Sequence, residues 1–475
     1  HPDLFIINYS SLIRSASKGE NHLSTSLTAG SVSKTLLKFS VPFLLAYFLQ
    51  TLYGLADMLI VGRFTGAGTI TAVAAGSQVM HMITVMIVGL TMGMTVVIGR
   101  SVGGKNPAKA RACIGTGMLF FALLSLGMTA ALLFLTNPIV RLLAVPEEAV
   151  ADTAVYLSIC FAGLFFITLY NVFAAVYRGL GDAKSPLAFA AVACLCNIVI
   201  DLVLIGGFGM GAAGAALGTV LAQGISVLVS LISFWKNKPA GPLSRQDLTI
   251  NRRILGDVLE IGVPISLQDG FIQISFIVIT MIANTRGVSM AAAVGITEKI
   301  ITFLFLVPST ATSAISAMAA QNIGAGKDTR AREVLFSAMG FACACGLAFA
   351  VAFQFLGERT VALFTTDSAV IALGTGYFRV YVWDAFFAGF HFSFSGYFSA
   401  CGKAFYSFVY NVLSMILVRV PIAYLTSIWY PQTLWPMGIA SPAGSAFASV
   451  IALLFYIYLR KKQNPYLTEE RTANA

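Results

Sequence analysis

Twelve stretches of this 475-residue chain are each long and apolar enough to cross a lipid bilayer, and no other feature constrains its fold as strongly. A bilayer core about 30 Å thick takes about 20 mostly apolar residues as a helix, and in hydrocarbon every backbone amide must find its partner within the segment. The stretches run over residues 36–62, 70–99, 110–136, 151–177, 186–207, 212–235, 256–284, 289–320, 334–357, 370–400, 405–429 and 437–460. Only 11% of the residues are charged and 57% are hydrophobic, against about 25% and about 45–50% in soluble chains. That excludes an ordinary soluble enzyme, and 36 Phe in a low-charge chain exclude disorder. The chain reads as an all-α integral membrane protein with twelve transmembrane helices.

Basic residues orient it. With the N-terminus in the cytoplasm, 23 of the 30 Lys and Arg fall on the cytoplasmic side. Arg63, Arg141, Arg286 and Arg359 fall on the other, and Lys299, Arg379 and Arg419 lie within spans. Both termini are therefore expected to be cytoplasmic. The net charge of +10 then reflects orientation and lipid headgroup contacts, with no nucleic acid as partner. Residues 1–33 read as a polar cytoplasmic leader, since no short apolar core precedes a small-residue cleavage site, and 463–475 as a cytoplasmic tail. The seven cysteines sit in or beside apolar runs and read as small apolar residues, without a disulfide or metal framework.

The chain repeats itself. Ser40-Val41-Pro42 opens the first span and Gly262-Val263-Pro264 the seventh, a shift of 222, and Gly104-Lys105 recurs as Gly326-Lys327 at the same shift. Tyr156, Phe165, Phe166, Gly181 and Ala183 recur as Tyr377, Phe386, Phe387, Gly402 and Ala404 at 221. Six spans per repeat is an even number, so the halves run in the same sense and relate by an axis along the membrane normal. The expected organisation is a six-helix lobe over 34–235, a flexible cytoplasmic linker over 236–253 and a second lobe over 254–462. A cleft between two such lobes is a transporter architecture. Pro42, near the inner end of the first span, is expected to cap its start.

Acids in hydrocarbon are costly and mark function. Five lie within spans: Asp57, Asp201, Asp269, Glu298 and Asp384. Asp57 sits about 7.5 Å from the outer end of its span at 1.5 Å per residue. Asp201 is at a similar depth, with Asn197 one turn earlier on the same face, and Thr219 reaches that layer on the returning span. Two carboxylates with amide and hydroxyl oxygens suit a hard monovalent cation or a shared proton. A cluster that merely ties helices together is the plainer reading, but one acid would serve that purpose as well as two. The second repeat carries Ile279, Val418 and Ile422 at the positions of Asp57, Asn197 and Asp201, so the chemistry is expected on one side only. Asp269, Glu298 and Asp384 have Lys299, Arg379, His391 and Arg419 as candidate partners. Gly209-Met210-Gly211-Ala212-Ala213-Gly214 matches a dinucleotide fingerprint but follows a membrane span and lacks the downstream acid, so it reads as an outer turn leading into a small-residue packing face with Gly218.

From Lys34 to Lys462 the chain resembles the multidrug and toxic compound extrusion (MATE) transporters of the MOP superfamily. Gln50 through Phe64, Arg178-Gly179-Leu180-Gly181-Asp182-Ala183-Lys184-Ser185-Pro186, Asn197 through Asp201, and Ala320-Gln321-Asn322-Ile323-Gly324-Ala325-Gly326 carry the likeness. The resemblance implies a cation-coupled antiporter of the bacterial plasma membrane that exports amphipathic organic cations, with no cofactor and a monomer as the expected assembly. Asp57, Asn197, Asp201 and Thr219 match, residue by residue, the coupling site of the DinF-like branch, with H+ or Na+ as the coupling ion. The NorM-like branch relies on a Glu on the seventh helix, where this chain offers Ile272 and Gln273. Gln50, Tyr53, Gln268, Asp269, Glu298, Asp384 and His391 are candidates for the substrate chamber. A lipid-linked oligosaccharide flippase of the same superfamily is the alternative, but it would want more cationic residues in its cleft than Lys299, Arg379 and Arg419. A membrane enzyme would need a catalytic constellation that His81 and His391, far apart and without a ligand motif, do not make.

Overall fold

The computed structural model describes residues 27–463, so most of the expected leader and nearly all of the tail lie outside the described residues. The first repeat builds α1 (Val32–Phe64), α2 (Ala67–Gly103), α3 (Pro107–Phe134), the short α4 (Thr136–Leu143), α5 (Glu147–Ala162), α6 (Leu164–Leu180), α7 (Lys184–Asp201) with a π-helical continuation (Leu202–Gly207), and α8 (Gly211–Asn237). The second builds α9 (Arg252–Asn284), α10 (Val288–Leu304), α11 (Leu306–Gly324), α12 (Asp328–Ala362), α13 (Ser368–Tyr381), α14 (Asp384–Ala400), α15 (Ala404–Ser414) with a π-helical turn (Met415–Arg419), α16 (Val420–Trp429), a 3-10 turn (Met437–Ile439) and α17 (Ala440–Gln463). The described residues are all-α, as the chain's hydropathy requires.

Ten of the described segments are long and apolar enough to cross a membrane, and α5 with α6, bent by 48° at Gly163, makes an eleventh. The twelfth expected span, 370–400, is α13 followed by α14. Its apolarity is diluted by Asp384, His391, Ser393, Ser395 and Ser399, all buried inside the protein. The two broken spans are repeat counterparts. The start of α13 is offset from that of α5 by the same interval that separates Gly181 from Gly402, the left-handed glycines following α6 and α14. The repeats differ at their second span, where α2 is continuous but its counterpart, one span over Val288–Gly324, is interrupted for one residue at Phe305 between α10 and α11. Pro308 explains the break, because it has no N–H to offer the carbonyl of Leu304, the last residue of α10.

Two expectations are corrected. Pro42 does not cap α1: the helix begins well before it, at Val32, and Pro42 lies inside it, as Pro264 lies inside α9. Lys34, just before the apolar stretch, does not end the helix, which runs on beyond it. The linker is also less free than a tether. Thr116 of α3 donates to the Thr249 carbonyl (2.9 Å) and accepts from the Asn251 amide (3.2 Å), and Arg111 lies 3.7 Å from Asp247.

Small residues set how the repeats meet. Along α2, Gly89 faces Ser266, Gly93 faces the Val258 carbonyl and Gly103 the Gln321 carbonyl, while Gly262 faces Leu90 and Gly324 the Arg100 carbonyl. A Cβ at any of these would collide with the opposing backbone, so glycine permits the close approach on which helix packing in lipid depends. One hydrophobic cluster, from Leu27 to Ala404, draws on both repeats. Of the other three, one belongs to the first repeat and two to the second. The halves therefore share a core at one end, where residue 27 lies and where the cluster around Leu335 and Phe398 adjoins it, and keep one separate core each toward the other.

Candidate functional site

Near the unshared end of the first repeat, α1, α7 and α8 bring four polar side chains into one layer. Asp57 on α1 is 5% exposed, and Asn197 and Asp201 on α7 are fully buried. Periodicity puts Asn197 and Asp201 one above the other on α7, and Gly218 on α8 makes room for them. A Cβ there would collide with Asp201 Oδ1 and stand 3.5 Å from Asn197 Nδ2. Asp57 and Asp201 lie within each other's electrostatic field, with Tyr156 and Cys160 of α5 beside Asp57. Thr219 receives a hydrogen bond from the Tyr53 hydroxyl at 3.3 Å, one turn before Asp57.

Among the described residues no Lys, Arg or His forms an ion pair with either acid. Asp57, Asn197 and Asp201 are buried against one another, and the Asp57 and Asn197 side chains are the polar groups that reach the Asp201 carboxylate. Two ionised carboxylates side by side, desolvated and with no cation between them, are strongly unfavourable. A shared proton supplies the missing donor, and a desolvated monovalent cation supplies the missing charge.

A narrow pocket of about 10 Å³, room for about one water, adjoins this layer, lined by Gln50 and Tyr53 of α1, Tyr170 of α6, Cys194 of α7 and Gln223 of α8 among others. Gln50 donates to the Tyr170 hydroxyl at 3.3 Å, and Gln223 Oε1 is buried without a partner. The sequence reading passed over Gln223, although an amide one turn after Thr219 within a span was a usable signal. It also read Gly218 only as a packing residue, because the room it makes for Asp201 exists only in three dimensions.

The other candidates do not join this layer. Asp384 is fully buried and pairs with Arg419 at 3.2 Å, and the guanidinium lies 5.5 Å from the Phe276 ring centre. Glu298 accepts from Thr280 at 3.2 Å, and Lys299 is exposed beside it in sequence. His391 is buried next to Tyr410, whose hydroxyl donates to the His391 carbonyl at 2.7 Å. Asp269 sits where α9 crosses α2 at Gly89, with Gln268 as its hydrogen-bonding neighbour at 3.5 Å. Of the four candidate partners, only Arg419 forms an ion pair with an acid of this group among the described residues.

The MatE family model matches residues 42–203 and again 264–425, one copy per repeat, with Pro42 and Pro264 opening the two copies. The chain belongs to the MatE family. It is thus a secondary transporter, not an enzyme. The probable multidrug resistance protein YpnP of Bacillus subtilis (strain 168) is 30% identical over 93% of this chain and 99% of its own length. The multidrug export protein MepA of Staphylococcus aureus (strain bovine RF122 / ET3-1) is 23% identical over 89% of this chain and 94% of its own. Among solved structures, a MOP superfamily transporter from Pyrococcus furiosus Vc1 (DSM3638) superposes with a TM-score of 0.86 at 22% identity, covering 92% of this chain and 98% of the other. The fold of this MatE chain is therefore that of the MOP superfamily transporters.

Proposed function

We propose that this protein is a cation-coupled multidrug efflux antiporter of the bacterial plasma membrane, exporting amphipathic organic cations by alternating access of two six-helix lobes, 34–235 and 254–462, joined by the linker 236–253. Both termini face the cytoplasm in this reading, and one chain is the working unit. The observation that carries it is the Asp57–Asp201 pair, two buried carboxylates with no cationic side chain to neutralise them among the described residues. H+ or Na+ occupies the layer of Asp57, Asn197, Asp201 and Thr219. The same helix, α1, supplies Asp57 to the layer and Gln50 and Tyr53 to the neighbouring pocket. Loading the layer removes the repulsion between α1 and α7 and draws them together, which narrows the pocket and displaces its occupant. Unloading restores the repulsion and reopens it. The relatives' names, a probable multidrug resistance protein and a multidrug export protein, support the substrate class. The flippase reading loses ground, because Arg419, a cation within the apolar spans, is tied to Asp384.

Efflux of a fluorescent cationic dye from proteoliposomes under an imposed pH gradient, with sodium absent and then present, tests this reading. Efflux driven by either ion and lost in Asp57→Asn supports it. Absence of efflux under both gradients rejects it and moves the lipid-linked flippase to first place.

A further inference from the structure

At the end where the two repeats share a core, each repeat reaches across and caps a helix of the other. Arg100, near the end of α2, donates from Nε and a terminal nitrogen to the Ala400 carbonyl, the last residue of α14, at 2.9 and 2.6 Å. Gln321, near the end of α11, donates to the Gly179 carbonyl at the end of α6 at 3.0 Å. Gly179 and Ala400 each precede their repeat's left-handed glycine, Gly181 or Gly402, by the same interval, so the two acceptors are repeat counterparts. The two donors lie one position off their own equivalence. Helix ends leave their last carbonyls without intrahelical partners, and here the opposite half satisfies one on each side.

A strap lies over this double cap. The carbonyls of four consecutive residues before α1 are held by side chains of the second repeat. Asn322 donates to Leu27 at 3.2 Å, Lys327 to Thr28 at 2.9 Å, and Arg330 to Ala29 at 2.8 Å and Gly30 at 2.7 Å. Leu27 is 1% exposed and lies against Gly181, beside the Gln321 amide. Gly181 has φ +88, a conformation that glycine adopts without strain, and its missing side chain leaves the space that Leu27 and Gln321 share. Strap and cap thus meet at one residue, Gln321.

We propose that Leu27–Gly30, together with the reciprocal caps of Arg100 and Gln321, form a latch that holds the two halves closed at this end of the molecule and must release before they separate there. The latch joins main-chain acceptors to long side chains, so it opens without uncovering a buried ion pair. Asn322, Lys327 and Arg330 then set the balance between the closed and open arrangements through hydrogen bonds, charge-assisted at Lys327 and Arg330, whose loss shifts a two-state equilibrium.

Spin labels at Ala108→Cys and Glu333→Cys, exposed positions on either side of the latch, report its opening by double electron–electron resonance on the full chain in lipid nanodiscs. The background replaces half-buried Cys196, Cys345 and Cys401 by Ser. The parent should show one dominant short distance. Arg330→Ala and Leu27→Ser should each raise the longer-distance population by about tenfold, with Arg330→Lys between them and the parent. Unchanged distributions in both variants would overturn the proposal. So would a parent with no dominant short distance, or an equal shift in Thr71→Ala, whose hydroxyl bonds within α2 at the other end. The readout needs no substrate or gradient, so it stands apart from the transport reading.

Discussion

Asp57 and Asp201 are the residues on which the account turns, and their environment fixes what their replacement should do. Asp201→Asn leaves an amide that supplies its own donor, so the layer no longer needs a proton or cation. We expect ion-driven dye efflux to fall to background while expression and dye binding persist, measured by flux and equilibrium titration. Gly218→Ala places a methyl group where Asp201 Oδ1 now sits. We expect it to cost about 1–3 kcal/mol and to impair ion dependence, checked by thermal unfolding in detergent beside flux. The Asp384–Arg419 pair behaves differently because it is already neutral. Asp384→Asn strands a buried guanidinium and should destabilise by about 3 kcal/mol, whereas adding Arg419→Met should recover most of that loss. The acids themselves were legible in the sequence, because any carboxylate within a span is conspicuous. The cation that pairs with Asp384 was not. That Arg419 rather than Lys299 or Arg379 answers Asp384 depends on how α14 and the turn after α15 pack, and spacing along the chain carries no information about that.

The helices were legible from hydropathy, their interruptions less so. Pro308 is visible in the sequence, yet only the structure shows the helix parting at Leu304, the carbonyl it fails to serve. In Pro308→Ala we expect α10 and α11 to fuse, with amide exchange across 304–309 slowed by about tenfold. Spans five and eleven each carry a π-helical turn, after Asp201 and ending at Arg419, beside the buried charge of its half. Such turns frequently accompany functional sites, and nothing in composition announced them. The linker shows the same limit: Lys, Pro, Gly and Asn suggested a free tether, but Thr116 and Arg111 dock it on α3. The Ser244 amide and hydroxyl, with Arg111 beyond, hold Asp247 below the usual carboxylate range. A group so depressed contributes stability above its unfolded pKa and loses it as pH falls through the folded value. We therefore expect linker docking, followed by amide exchange at 244–251, to be intact at neutral pH and to weaken only below about pH 4.

At the scale of the whole molecule, the internal repeat shows in both the family match and the broken spans, and it arranges two halves that share a core at one end only. Close glycine contacts and the carbonyl latch fasten that end, while the paired acids and the pocket lie toward the other. In the proposed positive-inside orientation, the shared end faces the cytoplasm. In the proposed cycle, ion and drug compete through one helix, α1, at the Asp57–Asp201 layer. The most direct test is calorimetric titration of the purified protein with a cationic dye, in buffers of differing ionisation enthalpy, with and without sodium. Dye binding should release about one proton from the wild-type protein, or become sodium-dependent in its place, and the Asp57→Asn, Asp201→Asn double variant should bind dye with neither effect. Equal proton release and equal sodium dependence in the wild-type protein and the double variant would contradict it.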